Sequence, residues 1–304
     1  MCDGALEQMR HPVVAWPALR YREFAPAPAL ADVVDCLWTL EGHAAADADA
    51  DAVLPDGRPE LIIHLGQPFE KLTPDGMAER QPALIFAGQL PEQLLLRPRG
   101  HVAVLGVRFH PHGAAAFLEA PQHEVAGIPI ALDDASVPLA KELDAVRGFD
   151  DVDEAMVFVQ ALLIRAVDRS RIDRRVAFAV DAIGRRRGQV SVNALATATG
   201  LTRRHLERRF LDTVGVSPKR LARLARFQRA LRLLNRRDMP RGGTETAAAC
   251  GYADQAHFIR DFRLLAGCSP GEHALRQGEL TGFFSGRSTT GQSSIHDVRS
   301  PKST

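Results

Sequence analysis

LATATGLTRRHLERRF, Leu195 to Phe210, and TAAACGYADQAHFIRDF, Thr246 to Phe262, carry nearly the same pattern. In each, a small residue precedes a glycine by four positions: Ala196 and Gly200, then Ala247 and Gly251. One apolar residue follows, Leu201 or Tyr252. A polar capping residue, Thr202 or Asp254, then opens a helix with two apolar residues four apart, Leu206 and Phe210 or Phe258 and Phe262. The pattern predicts a helix-turn-helix written twice. The alanine lets two helices approach closely, and the glycine takes the positive φ that the sharp turn needs. The apolar pair seats the second helix on the first and leaves its other face free.

The free faces carry base-reading side chains. At 100° per residue, Arg204 and Arg208 point opposite Leu206 and Phe210, flanked by Arg203 and Glu207. In the second unit the same direction holds Ala256 and Arg260, flanked by Gln255 and His257. Arginine pairs with guanine O6 and N7, glutamine with adenine N6 and N7, and glutamate accepts from cytosine N4. A solvated face explains one such helix as well as DNA does; two copies with matched turns favour DNA. Ser217 and Pro218 start the connecting helix, with serine as N-cap and proline at the first helical position. From Pro218 to Arg236 that helix spans about 28 Å, against roughly 34 Å between successive major-groove faces.

GYADQAHFIRDFRLLAGCSP, Gly251 to Pro270, closely resembles the signature of the AraC/XylS family of transcription regulators. TGLTRRHLERRFLDTVGVSPKRL, Thr199 to Leu221, resembles that family's first unit, and the match covers residues 171–276. The resemblance implies base-reading positions at Thr202, Arg204, Glu207 and Arg208, then at Gln255, Ala256, His257 and Arg260, with Arg203 beside them. Two departures stand out. Arg209 occupies a place where such helices usually bury an apolar residue, and Ala256 cannot hydrogen-bond a base. The implied partner is double-stranded operator DNA. A small-molecule effector, RNA polymerase and a second copy of the chain are further candidates.

The charge distribution agrees. The formal net charge of +1 hides a split: residues 1–170 hold 13 Lys+Arg against 26 Asp+Glu, and residues 171–277 hold 22 against 9. An acidic front and a basic rear point to nucleic acid at the rear. Cys2, Cys36, Cys250 and Cys268 lack metal-ligand spacing, which also sets aside the zinc-dependent alkyl-acceptor variant of the family. Cys250 and Cys268 read as core thiols. No apolar run has membrane-spanning length and no signal peptide opens the chain, so a cytoplasmic location is expected, with no cofactor.

The expected organisation is multidomain. A leader covers residues 1–20, an α+β sensor or dimerisation domain 21–170, an all-α DNA-binding domain with two helix-turn-helix units 171–277, and a disordered tail 278–304. Strands are predicted around Trp38, at Leu61 to Leu65, Leu84 to Phe86, Leu94 to Leu96 and Val102 to Phe109, between Pro/Gly turns that suggest a small sheet or cupin-like barrel. His43 to Ala52 reads as an exposed loop. Helices follow, with Leu139, Leu143 and Val146 on one face and Met156, Val159, Leu162, Leu163 and Val167 on another. PDGRPELIIHLG and GVRFHPHGAAAFL resemble the front domain of one branch of these regulators. If this domain senses an apolar molecule, its pocket is expected among Trp38, Ile62, Phe86 and Val104.

Other groups carry less. His110 and His112 form an HxH with Glu119 seven residues on, and His64 and His101 in reserve. A metal site there defines the rival reading, a metal-binding cupin-type enzyme with an accessory DNA-binding domain. Against it stands a polar strand end before a helix. Asp32, Asp35, Asp56 and Glu60 read as solvated loop acids. The arginines at 220, 223, 226, 229 and 232 drift by 60° per step around their helix, so only some of them can meet phosphate.

Overall fold

A computed structural model describes residues 19–73, 75–127, 129–235 and 243–274. The tail expected from 278, and the leader up to 18, lie outside the described residues. The front half holds strands β1 Leu19–Phe24, β2 Val34–Ala44, β3 Asp51–Val53, β4 Glu60–His64, β5 Glu70–Leu72, β6 Ala78–Arg80, β7 Leu84–Ala87, β8 Leu94–Arg97, β9 Gly100–Phe109 and β10 Ile130–Ala131. Helices α1 Leu132–Ala135, α2 Val137–Asp144 and α3 Val152–Ala166 follow. Among the described residues the strands form two antiparallel sheets, ordered β1-β2-β9-β4-β7-β10 and β3-β8-β5-β6.

The strand β9 shows why its sequence is apolar almost throughout. Ala103, Leu105, Val107 and Phe109 face a core shared with α2 and α3, while Val102 and Val104 face the second sheet. Both faces are buried, so the period-two alternation disappears. The helix faces expected at Leu139, Leu143 and Val146, and at Met156, Val159, Leu162 and Leu163, are buried in the first of these cores. Three expectations change. β1 begins at Leu19, so the last two residues of the expected leader pair with β2. The strand β2 runs to Ala44 and β3 begins at Asp51, which shortens the expected loop between them. β5 and β6 are short and polar, and therefore carried no hydrophobic signal.

The expected pocket is overturned. Trp38, Val104 and the partly buried Ile62 belong to the layer between the sheets, whereas Phe86 faces the helices on the opposite side of β7. The strand alternation separates them. The Trp38 indole itself occupies the space over Gly106, where a Cβ would come within 2.0 Å of it. The acids expected in solvated loops are instead partnered: Asp32 with Arg169 at 2.7 Å, Glu60 with Arg108 at 2.7 Å, and Asp35 with Arg58. Arg108 is buried and also reaches Glu23 at 3.3 Å, since a buried guanidinium is tolerated only when paired. The neighbouring Cys36 thiol is pushed up to about 12 by burial.

His64, at the end of β4, is buried against Phe69, and burial pushes its pKa from 6.5 down to about 4, with Gln81 opposing in part. The folded state therefore holds His64 neutral while the unfolded chain takes up a proton. The associated stability is complete above pH 6.5 and is lost as the pH falls towards 4. A shift of that size corresponds to roughly 3 kcal/mol. His110 and His112 are also pushed down by burial and act in the same direction. The difference between the wild type and His64→Leu isolates the first. Denaturant melts at neutral and acidic pH should show a smaller acid loss for His64→Leu; equal losses would mean that His64 is not held neutral.

Candidate nucleic-acid interface

The rear half contains α4 Arg174–Arg185, α5 Val192–Thr199, α6 Arg203–Val214, α7 Pro218–Leu234, α8 Gly243–Ala249 and α9 Gln255–Ala266. Helices α5 and α6 form one helix-turn-helix, α8 and α9 the other. Gly200 and Gly251 sit in the turns at φ +65° and +75°, conformations that a side chain would strain. Each second helix is capped as its sequence predicts. Thr202 Oγ1 accepts from the His205 amide at 3.3 Å, and Asp254 Oδ1 from the His257 amide at 2.7 Å. Ser217 caps α7, and Ser269 and Glu272 exchange the two bonds of a capping box.

Leu206 and Phe210 are fully buried, as are Phe258 and Phe262, so both helices are seated as the apolar spacing requires. Their opposite faces are open: Thr202, Arg203, Arg204 and Arg208 are exposed on the first, Gln255, Ala256 and Arg260 on the second. Four of the named positions have partners already. Arg203 and Glu207 pair at 2.9 Å, the Gln255 Oε1 accepts from Thr244 at 2.9 Å, and His257 lies 3.7 Å from Asp261 with its ring edge-on to Tyr252. Arg204, Arg208 and Arg260 are exposed. Arg209 is not buried despite its position; it turns outward and donates to Asp173, the N-cap of α4, at 2.7 Å.

Both units share α7. Leu221 and Ala222 belong to the core of the first unit; Leu224, Phe227, Ala230 and Leu231 belong to the core of the second. At 17 residues α7 is about 25 Å long. Its arginines are largely structural. Arg223 pairs with the buried Asp261 of α9 at 2.8 Å, Arg226 donates to the Gly188 carbonyl at 2.9 Å, and Arg220 donates to the Pro91 carbonyl in the front half. Three-residue spacing could show that these side chains diverge, but gave no hint of their partners. Cys250 and Cys268 are buried in the second core, as expected.

The front half rests directly on this assembly. Gln228 of α7 donates to the Pro55 carbonyl at 2.8 Å, and Leu54 packs against the second core. Gly57, with φ +82°, holds a conformation that a side chain would strain, and a Cβ there would lie 2.9 Å from the end of the Leu221 side chain. The Gln122 amide donates to the Asp212 carbonyl at the end of α6 at 2.8 Å. His110 and His112 lie nearby with their rings 6.0 Å apart; His110 is held by the Ala31 carbonyl at 3.2 Å and lies 3.8 Å from Asp35. Glu119 is exposed and paired with Arg171 at 3.0 Å. His110 and Glu119 thus have partners of their own, whereas His112 Nδ1 is buried without a hydrogen bond. Among the described residues no helix is long and apolar enough to cross a membrane.

Residues 195–276 match a family described as a helix-turn-helix domain, and residues 22–128 match one described as a domain of unknown function, DUF6597. No curated protein matches the chain. Among solved structures, the DNA-binding domain of AdpA, a global transcriptional factor in complex with a target DNA, is 26% identical over 35% of this chain and 96% of that one, with a TM-score of 0.32. An AraC-type regulator from Chromobacterium violaceum is 24% identical over 34% and 93%, with a TM-score of 0.32. ToxT from Vibrio cholerae is 10% identical over 79% and 98%, with a TM-score of 0.44. The repeated turn, the caps and the matched family model agree that residues 195–276 are an AraC-type helix-turn-helix domain, set behind a β-rich front domain.

Proposed function

We propose that this protein is a sequence-specific DNA-binding transcription regulator whose two units read adjacent major-groove segments of one duplex. The observation that carries this reading is the mounting of two capped, outward-facing helices on a single helix whose ends lie in both cores. A basic rear domain supplies attraction for phosphate, and the side chains at Thr202, Arg203, Arg204, Glu207 and Arg208, then Gln255, Ala256, His257 and Arg260, supply contacts to bases. The arginines do most of the reading, and the second unit reads less than the first because Ala256 offers no hydrogen bond.

The front domain controls the reader. The support for this is where it sits: the turn from Pro55 to Gly57 presses on Leu221 and Gln228, and residues 122 and 123 meet the end of α6. A small-molecule effector, a second copy of the chain or RNA polymerase acting on the front domain would be felt at α7 first. The metal-enzyme alternative draws no support from the partners of His110 and Glu119.

Selection of bound duplexes from a random pool tests the class. A consensus with two half-sites about one helical turn apart is expected; recovery of no consensus would remove the reading. Binding to unrelated duplex should be weak and fall steeply as salt rises. Reading and folding separate at two neighbouring residues. Arg208→Ala should leave the melting temperature nearly unchanged, since exposed substitutions cost within about 0.5 kcal/mol. It should weaken binding to the consensus by roughly 1–3 kcal/mol and relax preference at one base pair. Phe210→Ala removes a fully buried ring and should cost about 3–5 kcal/mol of stability. Equal loss by Arg208→Ala on consensus and scrambled duplex would make Arg208 a phosphate contact instead.

A further inference from the structure

The two units touch where the loop before α5 meets the turn that leads into α9. Gly188 and Gln189 close the loop between α4 and α5 in the first unit. Gly251 and Tyr252 form the turn between α8 and α9 in the second. Arg226 projects from α7 between them. Its Nη1 donates to the Gly188 carbonyl at 2.9 Å, and its guanidinium carbon lies 5.5 Å from the centre of the Tyr252 ring. The next residue after Gly188 completes the junction, because a Cβ on Gly251 would lie 2.7 Å from Cγ of Gln189. The guanidinium thus holds a backbone carbonyl of one unit and an aromatic face of the other. Arginine suits both tasks, since its plane stacks on a ring while its edge donates. Lysine has the charge but no planar fork.

We propose that Arg226 is a positioning residue that sets the angle between the two reading units and thereby selects the spacing between their half-sites on DNA. This rests on the reading of the protein as a two-unit DNA reader. Arg226 touches no base in this scheme. Its effect follows from the geometry of the duplex: one inserted base pair moves a half-site by about 3.4 Å and turns it by about a tenth of a helical turn. A rigid junction cannot follow that displacement, whereas a loosened one can.

The test uses the full-length protein and the consensus duplex recovered by selection, together with duplexes carrying one base pair more or fewer between the half-sites. The wild type should bind the altered spacings about tenfold or more weakly than the native one, the scale of a mismatched contact. Arg226→Met should bind all three within about threefold of one another, with native-spacing affinity reduced, while preference within each half-site persists. Tyr252→Phe keeps the ring and should keep the wild-type spacing penalty. Gln189 is exposed, so Gln189→Ala should fold normally and lower the penalty in the same direction as Arg226→Met. It decides the matter if Arg226→Met proves unfolded by thermal melting. A folded Arg226→Met or Gln189→Ala with the full wild-type spacing penalty overturns the proposal, as does a wild type indifferent to spacing. If the wild type selects no duplex at all, the two-unit reading itself has failed and the junction is not what was at fault.

Discussion

The rear domain depends on one helix serving two hydrophobic cores. Leu221 and Ala222 are buried with the first unit, and two residues later Leu224 is buried with the second. Neither unit can shed α7 without opening its own core, so their separation is fixed by helix geometry rather than by a linker. The cost of such sharing is that α7 has little free surface. Arg223, Arg226 and Gln228 are consequently drawn into polar contacts with Asp261, Gly188 and Pro55. A helix rich in arginine thus works as a frame.

The charge split between front and rear invites an electrostatic account of how the halves associate, but the seam is built otherwise. Its central contacts are a glutamine to a carbonyl at Pro55, a backbone amide to the Asp212 carbonyl, and apolar contact at Gly57 and Leu54. The cross-contacts between Arg171 and Glu119 and between His123 and Asp212 are largely exposed and contribute little, as such pairs do. Polar groups that meet backbone are directional and demand one register. Net charge then remains available for what the front and rear meet outside, where the acidic front would be repelled by a duplex and the basic rear attracted.

Legibility in the sequence followed the range of the interaction. The turns at Gly200 and Gly251, the caps at Thr202, Asp254, Ser217 and Ser269, and the buried pairs at Phe210 and Phe262 are local, and each was readable within a few residues. β9 was readable because both of its faces are apolar. What depended on distant residues was not. Arg209 was placed by resemblance in a buried position and is in fact held outside by Asp173, which is distant in sequence and close in space. Phe86 looked like a neighbour of Trp38 by composition, yet strand pairing puts them on opposite faces of the sheet. Asp32, Asp35 and Glu60 looked solvated because the arginines that claim them, Arg169, Arg58 and Arg108, are brought to them only by the fold.

These long-range pairs also give the Pro55 to Gly57 turn its stiffness. On the sheet side Glu60 holds Arg108 of β9, the Phe109 amide donates to the Pro59 carbonyl at 2.9 Å, and Arg58 is pinned by Asp35. Within the turn, Asp56 accepts from the Arg58 amide at 3.0 Å, and Gln89 donates to the Gly57 carbonyl at 2.8 Å. On the other side lie Leu221 and Gln228. A displacement of β9 has few soft degrees of freedom through which to dissipate before it reaches α7, because each step is a hydrogen bond, an ion pair or close packing. Such a chain of contacts is a contiguous physical link between β9 and α7. Its position is specific: it ends on the helix shared by both cores, not on α6 or α9. Control exerted through it would alter how the two units are held together before it altered which bases either one contacts.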